Sequence, residues 1–281
     1  MELQHVPYIR INGNKTEIMK REAITHIREQ ALPANNETYT GILEQLDNTI
    51  RPRGPSQGAL NNAHGDWYEW MLAIEAWNTA ANDPNADLAL LLPNIKRFDL
   101  SRLYTHRIRD IVSDLRRKVQ QAGNISLISS NPDFVILDRA VVDRIMPQIN
   151  PITLFTNNAI STLDNSYQAF SEQCSFEEIK GYISVKTSLR PDRRLQIPHE
   201  GSLMKAIYVH IQTREWIINP TGIKYYAIST AINDADIEAL NTVATHSITT
   251  VSSIPQAAVD ELFSVNSPIE ARAVFAQVLS P

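Results

Sequence analysis

Cysteine is almost absent: the 281-residue chain has one, Cys174. An internal disulfide is excluded, and a reducing compartment such as the cytoplasm fits. No apolar run is long enough to span a bilayer. Met1 to Arg10 lacks the basic, apolar, small-residue order of a signal peptide. Gly-x-Gly-x-x-Gly and P-loop sequences are missing, so no nucleotide cofactor is expected. The seven histidines include no His-x-x-x-His pair, which speaks against zinc. No Gly-x-Ser-x-Gly elbow supports a hydrolase triad built on Ser184, Cys174 or a histidine. An excess of positive charge is lacking too. The net charge of -5 argues mildly against a DNA binder, because phosphate contacts draw on a basic surface.

What is present is ordinary in bulk: 43% hydrophobic and 20% charged residues, as in soluble globular proteins. The length suits one large domain or two modest ones. The expected division is an N-terminal helical region, 1–60, and a core, 61–281, within one compact domain. Charge is uneven. Lys96, Arg97, Arg102, Arg107, Arg109, Arg116, Arg117 and Lys118 crowd one segment, and Arg190, Arg193 and Arg194 another. The first cluster reads as a solvated helix face or as one wall of a basic cleft.

The first half reads as helical. Thr16–Leu32 and Glu37–Ile50 are short amphipathic candidates, and Arg51–Gly58 is a Pro/Gly loop. Trp67, Trp70, Met71, Ile74 and Trp77 recur at helical spacing and predict a buried stripe on a helix over Asn62–Ala81. Another helix spans Leu100–Gln121, stopped by Gly123. The second half carries short apolar or β-branched runs: Ile125–Ile128, Phe134–Leu137, Gly181–Lys186, Trp216–Ile218, Lys224–Thr230 and Thr242–Thr245. A helix with Pro198 in its first turn and Leu203, Ile207 and Ile211 along one face lies among them. Together these predict an α/β fold with a central mixed β-sheet flanked by helices.

Within this frame Pro132-Asp133 leads into Phe-Val-Ile-Leu, so Asp133 stands at the start of a buried strand. Lys186 ends a strand, and Glu200 is expected in the first turn of the following helix, where the positive helix end favours its ionised form. Asp133 and Glu200 are the candidate ligands of a hard cation such as Mg²⁺, which takes one or two carboxylates and completes its shell with water. Lys186 would orient a water and offset developing charge. Glu69, in Gly65-Asp-Trp-Tyr-Glu-Trp70, is either a third acid at the site or a solvent-facing residue between aromatic positions. Arg190, Asp192 and Arg193 suit the reading of G·C pairs: arginine donates to guanine O6/N7 and a carboxylate accepts from cytosine N4.

Longer stretches carry a resemblance. They are Gly65-Asp-Trp-Tyr-Glu-Trp70, Ser130-Asn-Pro-Asp-Phe134, Ser184-Val-Lys-Thr187, Arg190-Pro-Asp-Arg-Arg-Leu-Gln196 and His199-Glu-Gly-Ser-Leu-Met-Lys-Ala206. Asn219-Pro-Thr-Gly222 and Val243-Ala-Thr-His-Ser-Ile248 extend the list. From about Asn61 onward the sequence resembles the type II restriction endonucleases of the CCGG group that cut purine-CCGG-pyrimidine, within the PD-(D/E)XK nuclease superfamily. Ser184 stands where that superfamily has an acid two places before the lysine. In this group the missing carboxylate comes from the following helix, here Glu200. The resemblance implies a restriction-endonuclease-like core and catalytic roles for Asp133, Lys186 and Glu200, with Ser184 in the departed position. It makes Glu69 an accessory acid, and Arg190, Asp192 and Arg193 readers of the CCGG core. It implies Mg²⁺, for which Mn²⁺ can substitute, and cleavage of double-stranded DNA to 5′ overhangs in a bacterial restriction-modification system. It also implies a homodimer or a homotetramer of back-to-back dimers, with Arg214 and Trp216 at the tetramer contact. The alternative is a nuclease of the same superfamily with a repair or RNA-processing task.

Overall fold

The structure is a computed structural model that describes residues 6–13, 15–127, 129–249 and 254–280. The chain opens with a small hairpin, β1 (Ile9–Asn12) and β2 (Lys15–Ile18), followed by helices α1 (Lys20–Ile27), α2 (Tyr39–Ile50) and α3 (Gln57–Asn82). Then come β3 (Leu88–Leu91), α4 (His106–Gly123), β4 (Phe134–Leu137), α5 (Arg139–Ile145) and α6 (Asn157–Asn165). The last third holds β5 (Ile179–Lys186), α7 (Pro191–Glu215), β6 (Lys224–Ser229), α8 (Asp234–Leu240), β7 (Glu261–Ser264) and α9 (Pro268–Val278).

The main sheet runs β3-β4-β5-β6-β7. β3, β4 and β5 pair antiparallel, whereas β5, β6 and β7 pair parallel, so the sheet is mixed as expected. Every residue of β3 and β4 is buried. Strands covered on both faces read as continuous apolar runs rather than alternating ones. α3 packs on β3 and α9, while α7 packs on β6, α8 and α4. One continuous apolar core results, running from Ile24 and Tyr39 of the N-terminal helices through Phe134 to Phe275 of α9.

α3 begins where the Ser56 hydroxyl accepts from Ala59 N–H, so it starts before Asn62 and takes over the end of the expected loop. Its predicted stripe holds: Trp67, Trp70, Met71, Ile74 and Trp77 are all buried. No described helix is long and apolar enough to cross a membrane.

Several expected elements differ. The Thr16–Leu32 helix is β2 plus the shorter α1, because Thr16 and Ile18 complete a hairpin with Ile11 and Ile9. Positive φ at Glu29 and Gln30 then turns the chain away. The Leu100–Gln121 helix is a short 3-10 turn, Leu100–Leu103, followed by α4. Its stop is Asn124, in the left-handed conformation, rather than Gly123. Trp216–Ile218 is not a strand: Trp216 caps the C-terminus of α7 with φ 57°. Thr242–Thr245 contributes only an isolated bridge, Val243 to Ala257. Ile125 to Leu127 are irregular, and Ile128 lies outside the described residues.

The largest correction concerns α7. It starts at Pro191, and Pro198 sits inside it. Proline at an interior position forgoes the hydrogen bond to the carbonyl four residues back, here that of Arg194. Glu200 therefore lies in the third turn, not the first, and the helix N-terminus is not what favours its charge.

Candidate active site

Asp133 immediately precedes β4, and Lys186 is the last residue of β5. Phe134 pairs with Ile183 in antiparallel register, which sets Asp133 opposite the end of β5. There Asp133 Oδ2 accepts from the Val185 backbone N–H at 2.5 Å and from Lys186 Nζ at 2.8 Å. The buried Ser184 hydroxyl donates to the same oxygen at 3.4 Å. The serine in the departed position thus steadies the aspartate, where an acid would repel it.

Glu200 reaches the site from α7. It is buried, at 8% exposure, and three side chains hold its carboxylate. The Ser130 hydroxyl and Gln196 Nε2, the latter at 2.7 Å, donate to Oε1. Tyr225 of β6 donates to Oε2 at 3.1 Å. These donors satisfy and orient the buried carboxylate.

Glu69 does not face open solvent between the aromatic positions. Its aromatic neighbours turn inward: Trp67 Nε1 donates to the Lys20 carbonyl, Tyr68 to the Val265 carbonyl and Trp70 Nε1 to Asp164. Glu69 instead lines the cleft. Burial, and then the like charge of Asp133, push its carboxyl well above the usual carboxylate range. Burial alone would lower the Lys186 ammonium, but Asp133, Glu69 and Glu200 outweigh it and hold the pKa above the ordinary lysine value. The surrounding acids therefore favour the charged form of Lys186.

Glu69, Lys186, Thr187, His64, Arg190 and Arg193 line one open cleft of about 570 Å³. Arg190 is the N-cap residue of α7, and Asp192 is exposed between the two arginines, 3.5 Å from Arg190 and 3.6 Å from Arg193. Arg194 is structural: it donates to the buried Asp236 at 2.6 Å. The basic cluster of α4 also belongs elsewhere. Arg107 pairs with Glu215, Arg109 with Glu172, Arg116 with Asp99, and Arg117 and Lys118 with Asp114, so it follows the helix-face reading. Arg214 joins Asp114 at 3.1 Å, and Trp216 projects at 88% exposure.

The donor set suits a hard divalent cation. It consists of carboxylates, of which Asp133 touches the Lys186 ammonium and Glu69 and Glu200 act on it electrostatically, and the charge on Asp133 adds to burial in raising the Glu69 carboxyl. Among the described residues no three His, Cys, Asp or Glu side chains form a ready cage. A cation here would take few protein ligands and keep water, as Mg²⁺ does.

Sequence reasoning missed Ser130, Gln196 and Tyr225, the three donors to Glu200. Two of them stand inside matching stretches, but nothing local in the sequence points them at Glu200.

Comparison with known proteins places the chain among restriction endonucleases. The family described as Cfr10I/Bse634I restriction endonuclease matches residues 8–281, so the likeness extends well before Asn61. The type II restriction enzyme Cfr10I of Citrobacter freundii is 45% identical over 256 residues, covering 88% of this chain and 89% of that one. The solved Bse634I restriction endonuclease superposes with a TM-score of 0.87 at 29% identity, over 100% of both chains. A type IIF restriction endonuclease Bse634I solved with cognate DNA gives 0.84 at 28% identity, over 97% of each. With the mixed sheet and its flanking helices in place, the chain belongs to the Cfr10I/Bse634I restriction endonuclease family.

Proposed function

We propose that this protein is a Mg²⁺-dependent type II restriction endonuclease that cuts double-stranded DNA at purine-CCGG-pyrimidine and leaves 5′ overhangs. The observation that carries the reading is the Asp133–Lys186 pair, on whose ammonium Glu69 and Glu200 also act, at the end of a cleft that Lys186 and Glu69 share with Arg190 and Arg193. Asp133 and Glu200 would hold the cation, and Mn²⁺ offers the same hard-ligand chemistry. A bound ion would polarise the scissile phosphate and ease ionisation of a water. The chain's own groups do the rest. Lys186 keeps its proton and sets positive charge against the charge developing on the phosphate. Ser184 and the Val185 N–H fix Asp133, and Ser130 and Tyr225 fix Glu200. Glu69 adds an acid whose ionisation a cation would favour. Arg190 and Arg193 donate to guanines, and Asp192 accepts from cytosine. A repair or RNA-processing nuclease would have no use for such a cluster beside its site.

Digestion of a DNA of known sequence in Mg²⁺, with end-sequencing of the fragments, tests the reading. Every end is expected at purine-CCGG-pyrimidine with a 5′ overhang. Ends scattered over unrelated sequences would sink the specificity, and no cleavage would sink the activity.

A palindromic site presents two identical half-sites, which a two-fold assembly matches. We infer a homotetramer of two dimers with Trp216 and Arg214 at the contact between dimers. Trp216 is not a core residue; its ring stands in solvent beside Ile218, which is equally exposed at 88%. A buried aromatic commonly dominates an interface. Trp216→Asp is expected to give folded dimers by sedimentation, with an unchanged circular dichroism melt. A tetramer that survives the substitution would refute the placement.

A further inference from the structure

Gln196 bridges the arginine cluster and the buried acid. Its Oε1 accepts from Arg193 Nη1 at 2.6 Å, and its Nε2 donates to Glu200 Oε1 at 2.7 Å. Arg193, Gln196 and Glu200 stand at i, i+3 and i+7, on one face of α7. The chemistry of the ends dictates the middle. A guanidinium only donates and an ionised carboxylate only accepts, so the bridging side chain must offer one acceptor and one donor. A carboxamide does this. A carboxylate has no proton to give Glu200, and an ammonium has no lone pair for Arg193.

The link runs from cleft wall to interior. The Arg193 side chain is 34% exposed, whereas Glu200 is 8% exposed. Oε1 of Glu200 also takes the Ser130 hydroxyl, so both lone pairs of that oxygen are engaged. Any shift of the Gln196 amide therefore changes how this carboxylate is oriented and which of its oxygens is free.

We propose that Gln196 is a positioning residue that couples base reading to the chemical step: the place Arg193 takes on DNA sets Gln196, and Gln196 sets the carboxylate of Glu200. The proposal rests on the reading of Arg193 as a base-contacting residue. On the right site Arg193 is held by a guanine, and the bridge has one arrangement. On a wrong base pair Arg193 lacks that partner, the bridge shifts, and Glu200 shifts with it. Discrimination then appears in the cleavage rate beyond what it contributes to affinity.

The test uses the full-length protein with the cognate duplex and duplexes carrying one wrong base pair within CCGG. Affinity is measured in Ca²⁺, and single-turnover cleavage in Mg²⁺ at saturating enzyme. The unsubstituted protein is expected to lose more in rate than in affinity on a wrong base pair. Gln196→Met keeps the length of the side chain without the two hydrogen bonds, and Gln196→Leu serves as a second variant at this partly buried position. In these variants the excess, taken as the rate ratio divided by the affinity ratio measured for the same duplexes, is expected to shrink about tenfold, within the ~5–150-fold range of coupling between sites. A Gln196 that merely supports the helix would slow all duplexes by one factor and leave the excess intact, which would overturn the proposal, as would an unsubstituted protein with no excess. Arg193→Ala separates the premise. If its Ca²⁺ affinity ratio between cognate and substituted duplexes stays as in the parent, the base-reading role itself falls. If that ratio drops while the Gln196 variants keep the excess, the coupling alone falls.

Discussion

The Lys186→Ala protein is expected to bind its DNA in Ca²⁺ about as the parent does and to cleave it in Mg²⁺ at least ~10²–10³-fold more slowly, the usual effect of removing one preorganised electrostatic group. The size follows from the surroundings. Asp133, Glu69 and Glu200 act together on the Lys186 ammonium. Its Nζ lies 2.8 Å from Asp133 Oδ2 and 2.8 Å from the Val185 carbonyl, so it is held in place before any substrate arrives. Without it the phosphate loses a fixed countercharge, and the acids lose their compensation. Breaking a buried pair by deleting one partner costs about 3–5 kcal/mol at the extreme. Both side chains here keep some solvent contact, at 18% and 20%, so the loss of stability should be smaller. A divalent cation should recover part of it by neutralising the same acids. Single-turnover kinetics beside fluorescence anisotropy in Ca²⁺ checks the split between rate and binding. Cleavage by the alanine protein at a parental rate, or full cleavage by the parent in EDTA, would refute the mechanism.

Gly201→Ala should be the most damaging small substitution in the site. A Cβ on Gly201 would lie 2.2 Å from the Ala258 carbonyl oxygen and 3.0 Å from Cδ1 of Tyr225. Neither neighbour yields easily. The Ala258 segment is pinned by its own N–H to the Thr242 carbonyl at 2.8 Å and by Lys205 Nζ to the Ala257 carbonyl at 2.6 Å. Tyr225 is fully buried in the sheet and holds Glu200. The added methyl must therefore push α7 outward and carry Glu200 away from its tyrosine. Overpacking costs roughly 1–3 kcal/mol and occasionally more; a contact against backbone belongs at the top of that range or beyond it. The midpoint of urea unfolding should fall, and cleavage should fall further than the loss of folded protein explains. A parental midpoint would show that the helix and the loop part without strain.

How far the sequence reaches depends on whether the deciding contact is local. β4, β5 and β6 are legible because buried runs such as Phe-Val-Ile-Leu have one physical explanation. β3 is not: Leu-Ala-Leu-Leu suits a helix as well as a strand, and only its pairing with β4 decides. α9 is absent from the sequence reading although it carries a start signal, Ser267-Pro-x-Glu270, with serine accepting from the Glu270 N–H. Pro198 misleads because a proline more often opens a helix than sits within one. Asp133 and Lys186 stand out through the resemblance and their strand-end placement, and Glu200 through the resemblance. The environment of Glu200 does not, since Ser130 and Tyr225 are 70 and 25 positions away in the chain. Trp216 reads equally as strand core or as surface until the end of α7 places it in solvent.

α7 bears on how this protein could acquire a new target. Arg190, Asp192 and Arg193 open the same helix that carries Glu200, and Lys186 lies just upstream of it. A loop of three residues, Thr187 to Leu189, separates Lys186 from Arg190, and the helix itself joins the proposed reading residues to Glu200. A graft that imports another enzyme's reading segment would also replace the support of its own carboxylate. Retargeting by exchange of a cassette is thus closed to this architecture. New specificities would have to arise by substitutions that keep the helix seated on Ala258 while its first turn is rewritten.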